Sequence, residues 1–342
     1  MERTQSERTI SENIEKNETA VMRIENLTKE FEIGRFKKKI VHAVTDVSFH
    51  INSGEILALV GESGCGKTTV ARVIGQLYEP TSGQIYLYNK EVPKKMRGQQ
   101  RLEYRKHVQM VFQDPYAAMN PLHTIEYILQ RPLELHRIVE KDFIEEKIRE
   151  LLEMCGLFPA DRFLNRYPHE LSGGQLQRVG IARALAVGPV LILADEPTSM
   201  LDVSIRLGIM NLMLDLKEKE NTSYLFITHD LAGAHYMADR IAVMYAGYIV
   251  EIGSSTEVIN RPQHPYTQLL KKAAPKPETG LNPEKIDVEG AVPDLTNLPK
   301  GCPFRPRCKH VLPKCEEELP LMYPSAEGHF VRCYLYEGTL PG

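Results

Sequence analysis

The sequence predicts an α/β protein with a largely parallel β-sheet, a helical insert and a small cysteine-containing C-terminal extension. Short β-rich runs alternate with helical patterns over about residues 22–255, which is typical of that fold class. Apolar runs at 55–60, 190–194 and 224–228 read as buried strands that end at a glycine-rich turn or at polar residues. Ligands of open α/β sheets gather at the carboxyl ends of the strands, so a binding site is expected there.

The composition is that of a globular protein with no strongly charged partner. Hydrophobic residues make up 42% of the 342-residue chain, enough for a core, and 42 basic against 45 acidic residues leave a formal charge of −3. This balance argues against a basic surface for nucleic acid or lipid headgroups. No apolar run approaches the ~20 residues that cross a bilayer, and residues 1–20 lack the apolar core of a secretion signal. We therefore expect a cytoplasmic protein.

The order of segments predicts three regions. Residues 1–20 are almost entirely polar and are expected to form a flexible tail, residues 21–260 form the main domain with its helical insert at about 115–175, and residues 261–342 form the extension. Prolines after residue 270 suggest an extended linker before the cysteines. Within the insert, a helix with one apolar face is predicted from Ile144, Ile148, Leu151, Leu152 and Cys155.

A segment that fits G-x-x-x-x-G-K-[ST] follows the first apolar run and precedes a helical pattern. In that context it predicts a loop that binds ATP, because glycines let backbone N–H groups surround phosphate oxygens at a helix N-terminus. Lys67 adds a point charge and Thr68 can offer its hydroxyl to Mg²⁺. A plain glycine turn is the alternative. The predicted binding residues are Gly61, Glu62, Ser63, Gly64, Cys65, Gly66, Lys67, Thr68 and Thr69.

Two carboxylates follow the second apolar run. Asp195 is expected to hold Mg²⁺ through its oxygens, and Glu196 is the better candidate for the general base. An acidic pair at a solvated strand end is the alternative, and the phosphate loop favours the functional interpretation.

A second glycine-bearing motif at 171–185 reads Leu-Ser-Gly-Gly-Gln-Leu-Gln-Arg-Val-Gly-Ile-Ala-Arg-Ala-Leu. With the phosphate loop, it resembles the ATP-binding-cassette (ABC) ATPases. The resemblance implies a RecA-like core with a mixed sheet and a helical subdomain, and head-to-tail pairing of two cassettes. Residues Ser172, Gly173, Gly174 and Gln175 would then close over the ATP of the opposite cassette.

Other elements of the family occur in the expected order, and their roles are what the resemblance implies. Gln113 resembles the Q-loop glutamine, which touches Mg²⁺ or the attacking water, and Asp202 lies in a segment similar to the D-loop. His229 resembles the switch histidine near the γ-phosphate. Phe31 fits the position of the adenine-stacking aromatic residue best, and Phe36 is the alternative.

Segments 61–66, 112–121, 261–270 and 301–308 are together similar to the oligopeptide and dipeptide importer branch. The resemblance implies two integral-membrane permease subunits, a second and different ABC ATPase subunit, and an extracytoplasmic solute-binding protein, with this subunit peripheral on the cytoplasmic face of the membrane. A homodimer is the alternative pairing, and oligosaccharides or nickel are alternative solutes. DNA-repair and translation ATPases, and degenerate binding modules, are further alternatives. One cassette without a heptad run, and intact Lys67, Asp195, Glu196 and His229, argue against them.

Four cysteines, Cys302, Cys308, Cys315 and Cys333, are spaced C-x5-C-x6-C-x17-C in a region poor in apolar residues. A bound metal would supply the missing stability. The gaps of five and six residues between cysteines favour an iron–sulfur cluster over zinc. The resemblance to the oligopeptide and dipeptide importer branch favours it further, because some members of that branch bind [4Fe-4S]. Zinc, or reduced cysteines without a ligand, are the alternatives. The cysteines are distant from the phosphate loop in sequence, so we expect no part in hydrolysis. Cys65 and Cys155 are expected to be small residues that fit.

Overall fold

The computed structural model describes residues 20–34, 38–273 and 293–338, which form two compact units. The first unit takes in the described residues of Met1–Asn52, Ile56–Lys94 and Thr228–Gly342. The second takes in Ser53–Glu55 and Lys95–Ile227. The chain therefore leaves the first unit after Lys94 and returns to it at Thr228, just before His229.

The first unit contains two groups of strands. Its strands are β1 (Ala20–Ile33), β2 (Lys39–Asn52), β3 (Ile56–Val60), β4 (Ser82–Leu87), β5 (Lys90–Glu91), β9 (Arg240–Tyr245), β10 (Tyr248–Ser254), β11 (Tyr323–Ala326) and β12 (His329–Val331). An antiparallel sheet has the order β2-β1-β4-β5, and a second group has the order β11-β12-β10-β9-β3. Strands β3 and β9 are parallel, whereas β9, β10, β12 and β11 pair antiparallel. The sheet is therefore mixed.

Helices of the first unit flank these strands, and they are α1 (Lys67–Ile74), α8 (Leu231–Met237), α9 (Ser255–Asn260), α10 (Pro265–Ala273) and α11 (Lys314–Glu317). All five residues of β3 are buried, which confirms the first apolar run as a strand covered on both faces. Glu251 in β10 is fully buried, and it accepts hydrogen bonds from the backbone N–H groups of Gln263 and His264 and pairs with His329 Nε2 at 2.8 Å. This buried carboxylate thus joins β12 of the C-terminal extension to β10.

The second unit has a parallel group of strands in the order β8-β7-β6, where β6 is Val108–Val111, β7 is Leu191–Asp195 and β8 is Ser223–Thr228. Its helices are α2 (Gly98–His107), α3 (Ile125–His136), α4 (Ile144–Met154), α5 (Asp161–Leu164), α6 (Gly173–Leu185) and α7 (Val203–Glu220). Strands β7 and β8 are buried throughout, so the second and third apolar runs are also confirmed as strands.

The helical insert has the predicted apolar face. In α4, Ile144, Ile148, Leu151 and Leu152 are buried, and Cys155 is buried at its end. Ala20, which the sequence assigns to the tail, begins β1, while residues 1–19 and the proline-bearing linker at 274–292 lie outside the described residues. Within the part of the chain that is described, no helix has both the length and the apolar character needed to cross a membrane.

Candidate functional site

The phosphate loop lies between β3 and α1, where backbone atoms of two other strands approach it closely. A Cβ added to Gly61 would lie 2.2 Å from the carbonyl oxygen of Met244 in β9, and one added to Gly66 would lie 2.1 Å from that of Ala43 in β2. Gly66 also has a φ of 110°, which disfavours a side chain. Close backbone packing therefore requires glycine at these two positions of the motif.

Lys67 is the first residue of α1 and is only 4% exposed. Its Nζ donates hydrogen bonds to the carbonyl oxygens of Gly61 at 2.7 Å and Glu62 at 3.0 Å. Cys65 is buried beside it, and burial raises the pKa of its thiol, so it remains neutral. Two backbone carbonyl oxygens of the loop thus hold the ammonium group of Lys67 in place.

Glu62 is tied to the C-terminal part of the chain. Its carboxylate accepts two hydrogen bonds of 2.9 Å from Arg307, and its backbone N–H donates to the hydroxyl of Tyr266 at 2.8 Å. The sequence predicts no part in hydrolysis for the cysteines, and no pattern in it identifies Tyr266 or Arg307 as a contact of the loop. Arg307 lies 245 positions from Glu62, and no local pattern reports a contact at such a separation.

The carboxylates of the second unit lie at the end of β7, as predicted. Asp195 is 3% exposed, whereas Glu196 is half-buried and has a φ of 45°. The backbone N–H of Glu196 donates to the carbonyl oxygen of Ile227 at 3.0 Å. Gln113 donates from Nε2 to Glu196 Oε2 at 3.3 Å. The structure therefore brings together two residues, 83 positions apart, that the sequence assigned separately to catalysis.

Ser172 is the N-cap of α6, and the start of this helix is a reciprocal capping box. Ser172 Oγ accepts from the backbone N–H of Gln175 at 3.3 Å, and Gln175 Oε1 accepts from the backbone N–H of Ser172 at 3.0 Å. A Cβ on Gly174 would lie 2.6 Å from Ile205 Cγ2 in α7, so close helix packing requires this glycine. The serine hydroxyl is thus part of the cap of its own helix, and Asp202 is the N-cap position of α7.

Hydrogen bonds that the sequence did not suggest connect the segment after Gln113 to α6 and to the residue just before its cap. Tyr116 donates from its hydroxyl to the carbonyl oxygen of Leu171 at 3.0 Å, and Arg183 donates to that of Ala118 at 2.9 Å. Both bonds reach from a side chain to a backbone carbonyl. Residue types alone give no signal for them.

Two other residues predicted to contact the nucleotide, His229 and Phe31, lie in the first unit. His229 is exposed and follows β8. Phe31 is half-buried in β1, where its ring lies edge-on to Tyr78 at 5.3 Å and beneath the ammonium group of Lys29 at 4.9 Å. Phe36 lies outside the described residues. Adenine stacking by Phe31 and γ-phosphate contact by His229 remain predictions.

The four C-terminal cysteines all line one pocket. Burial, with the nearby thiols, raises the pKa of Cys302 and of Cys333 to about 11. No group of three or more His, Cys, Asp or Glu residues in the described ranges is arranged to hold a metal ion. The iron–sulfur prediction is therefore not confirmed, although the sequence correctly placed the four thiols together.

Two family models match this chain. The model described as ABC transporter matches residues 44–199, which include the phosphate loop, Gln113, Ser172 and both carboxylates. The model described as Oligopeptide/dipeptide transporter, C-terminal region, matches residues 250–315, which include Tyr266 and Arg307.

Relatives resemble the chain over nearly its whole length. The oligopeptide transport ATP-binding protein AppF of Bacillus subtilis is 43% identical over 326 residues, which cover 94% of this chain and 98% of AppF. The dipeptide transport ATP-binding protein DppF of Haemophilus influenzae is 41% identical over 304 residues, which cover 87% of this chain and 90% of DppF.

Solved structures share the fold. A post-hydrolysis dimer of the ATP-binding cassette MJ0796, bound to ADP and Pi, is 32% identical with a TM-score of 0.62, covering 68% of this chain and 98% of that one. CbiO1 from Clostridium perfringens, part of the ABC transporter complex cbiONQ, is 25% identical with a TM-score of 0.62, covering 71% and 92%.

Proposed function

This chain belongs to the ATP-binding proteins of ABC transporters, in the oligopeptide and dipeptide branch, and we propose that it hydrolyses ATP to energise import of oligopeptides, dipeptides or related small solutes. The observation that carries the proposal is that similarity continues beyond the ATPase motifs into residues 250–315, the region matched to peptide transporters. A generic cassette would be similar over the ATPase motifs alone. Oligosaccharides and nickel remain the alternative solutes.

The residue roles follow the family position by position. We infer that Lys67 and the backbone of the phosphate loop bind the phosphates, Glu196 acts as general base and His229 contacts the γ-phosphate. Burial of Lys67 and its fixed ammonium group support the first role. Mg²⁺ would be held by Thr68, Gln113 and Asp195 and would neutralise phosphate charge; Asp195 suits this as a buried carboxylate, the ligand type that Mg²⁺ prefers.

The proposed partners are two integral-membrane permease subunits, a second ABC ATPase subunit and an extracytoplasmic solute-binding protein, with this chain peripheral on the cytoplasmic face of the membrane. The test is reconstitution of the permeases and both ATPase subunits in proteoliposomes. We expect ATP hydrolysis that rises when a peptide-loaded binding protein is added. Stimulation by nickel or an oligosaccharide with its binding protein, and none by peptides, would assign the alternative solute.

The pairing of ATPase subunits has its own measurement. We expect native mass spectrometry of the purified complex to show one copy of this chain and one copy of a related cassette. Two copies of this chain in a fully active complex would instead establish the homodimer.

We further propose that Cys302, Cys308, Cys315 and Cys333 ligate a [4Fe-4S] cluster. Four cysteines that line one pocket offer the donor set such a cluster needs. Burial raises the pKa of Cys302 and of Cys333 to about 11, so these two thiols must release protons when a cluster assembles. Anaerobic purification should give a brown protein that absorbs near ~400 nm with about four irons per chain.

Two variants sharpen the cluster experiment. Cys315→Ala should lose iron and colour, whereas Cys155→Ala, which changes a buried cysteine outside the pocket, should keep both. A colourless anaerobic preparation without iron or sulfide would exclude the cluster, and one zinc per chain would assign the site to zinc.

A further inference from the structure

Glu62 occupies the first variable position of the phosphate-loop motif, where a negative charge lies beside the residues that bind a triphosphate. Its carboxylate forms a bidentate pair with Arg307, from Nη1 to Oε2 and from Nη2 to Oε1, each at 2.9 Å. The Arg307 side chain is 7% exposed and that of Glu62 is 27% exposed. Parallel charge-assisted hydrogen bonds in this partly buried setting fix both distance and orientation.

The backbone of Glu62 is held as well as its side chain. Its N–H donates to the hydroxyl of Tyr266 at 2.8 Å, and its carbonyl oxygen accepts from Lys67 Nζ at 3.0 Å. Tyr266 lies in α10 and is fully buried. One residue of the loop therefore connects the phosphate-binding lysine to two side chains from the region after residue 260.

Arg307 is supported by aromatic packing. Its guanidinium carbon lies 5.8 Å from the ring centroids of both Tyr245 and Phe304. Phe304 is 2% exposed and its ring lies edge-on to Tyr245 at 5.3 Å. Backbone hydrogen bonds from Arg307 to Phe304 and from Cys308 to Arg305 close the turn that carries the guanidinium group. The arginine is thus presented to the loop by a packed turn.

We propose that Arg307 is a positioning residue for ATP binding: it neutralises the Glu62 carboxylate and holds the phosphate loop in its binding conformation. The C-terminal extension, through this one side chain, would then set the affinity of the loop for nucleotide. The proposal depends on ATP binding, which the family shares, and not on the identity of the solute or on what the cysteine pocket holds.

Two physical effects act in the same direction when Arg307 is removed. The loop loses a restraint, so the fraction of molecules in the binding conformation falls and the apparent Kd rises in proportion. The Glu62 carboxylate also loses its counter-charge and repels the incoming phosphates. Restraint and charge can be separated in the double variant Arg307→Met/Glu62→Gln, which lacks the restraint but no longer carries an unpaired negative charge.

The experiment measures the Kd of Mg·ATP by titration calorimetry on the full chain. We expect Arg307→Met to weaken binding about tenfold or more, and the double variant Arg307→Met/Glu62→Gln to regain part of the loss because the unpaired carboxylate is then absent. A role confined to folding predicts instead that the folded Arg307→Met protein binds Mg·ATP with unchanged affinity. The matched control is Arg305→Met, since Arg305 lies in the same turn but donates to the carbonyl oxygen of Glu316.

The outcomes decide the proposal in either direction. Unchanged ATP affinity in a folded Arg307→Met protein overturns it, as does a double variant that recovers no affinity. Thermal unfolding without nucleotide shows which variants are folded. If Arg307→Met does not fold, Arg307→Lys replaces it, because lysine keeps the charge but loses the bidentate geometry. A loss of about threefold or more in that variant supports the proposal, and unchanged affinity overturns it.

Discussion

The phosphate loop of the first unit and the carboxylate end of β7 in the second unit are held in different ways. Around the loop, backbone atoms of Met244 and Ala43 leave no room for a Cβ on Gly61 or Gly66, and Lys67 is buried against loop carbonyls. At the end of β7, the contact between the two predicted catalytic side chains is one 3.3 Å hydrogen bond, from Gln113 to Glu196.

This difference teaches where substitutions should act. A side chain added to a loop that packs closely against backbone atoms must distort the loop. Substitutions there should therefore lower the affinity for ATP. At the strand end, substitution of a carboxylate or amide side chain can remove a catalytic group while the backbone stays in place. Substitutions there should therefore lower the rate of ATP hydrolysis. The two regions should therefore separate nucleotide binding from hydrolysis.

The largest expected effect is on turnover at Glu196. Glu196→Gln removes the proposed base and leaves the phosphate loop intact, so we expect the rate of ATP hydrolysis to fall by ~10²–10⁴ with the ATP affinity retained. Steady-state hydrolysis and nucleotide titration measure the two quantities. Glu145→Gln is the control, because Glu145 is an exposed glutamate paired with Arg149. Near-normal hydrolysis by the Glu196 variant would exclude it as the base.

Gly66→Ala should break the other side of the comparison. A side chain at this φ of 110° costs about 1–3 kcal/mol before the contact with Ala43 is added, so we expect ATP affinity to fall by ~10²-fold. Gly64→Ala should lose less, because Gly64 also has a positive φ but its Cβ would meet nothing within 4 Å. Equal losses of ATP affinity in the two variants would mean that backbone strain at a positive φ, and not the contact with Ala43, causes the loss.

Gln113→Ala should have an intermediate effect on hydrolysis. A hydrogen bond to a charged group contributes about 1.5–3 kcal/mol, and because Gln113 is exposed we expect the lower end, roughly a tenfold loss of turnover. Gln130→Ala is a matched control, since Gln130 donates to Glu134 Oε1 at 2.7 Å within α3. Loss of ATP affinity without loss of turnover would contradict the assignment of Gln113 to the chemical step.

The smallest effect is expected at the start of α6, where the capping box places Ser172 in a structural role. Ser172→Ala should lower the free energy of unfolding by about 0.5–2 kcal/mol, and Ser172→Asn should restore most of it because asparagine also caps helices. Chemical denaturation measures both. If the Asn variant is as unstable as the Ala variant, the loss does not come from the cap.

Local patterns were sufficient for the elements that carry the site. Strands β3, β7 and β8 and the turn into α1 were predicted from residue order, because burial on both faces and glycine geometry are short-range properties. The apolar face of α4 was predicted for the same reason. No local pattern indicates the grouping of Ser53–Glu55 with Lys95–Ile227 in the second unit.

By itself, then, the sequence determined the ATP-binding loop, the carboxylates and the family, since these depend on neighbouring residues in a fixed order. Only the tertiary structure decided that Gln113 bonds to Glu196, that the glycines of the loop face the backbone of β2 and β9, and that Arg307 pairs with Glu62. Such contacts join residues tens to hundreds of positions apart, and they form only when the apolar segments between them are packed into the core. No local pattern encodes which distant side chain arrives there.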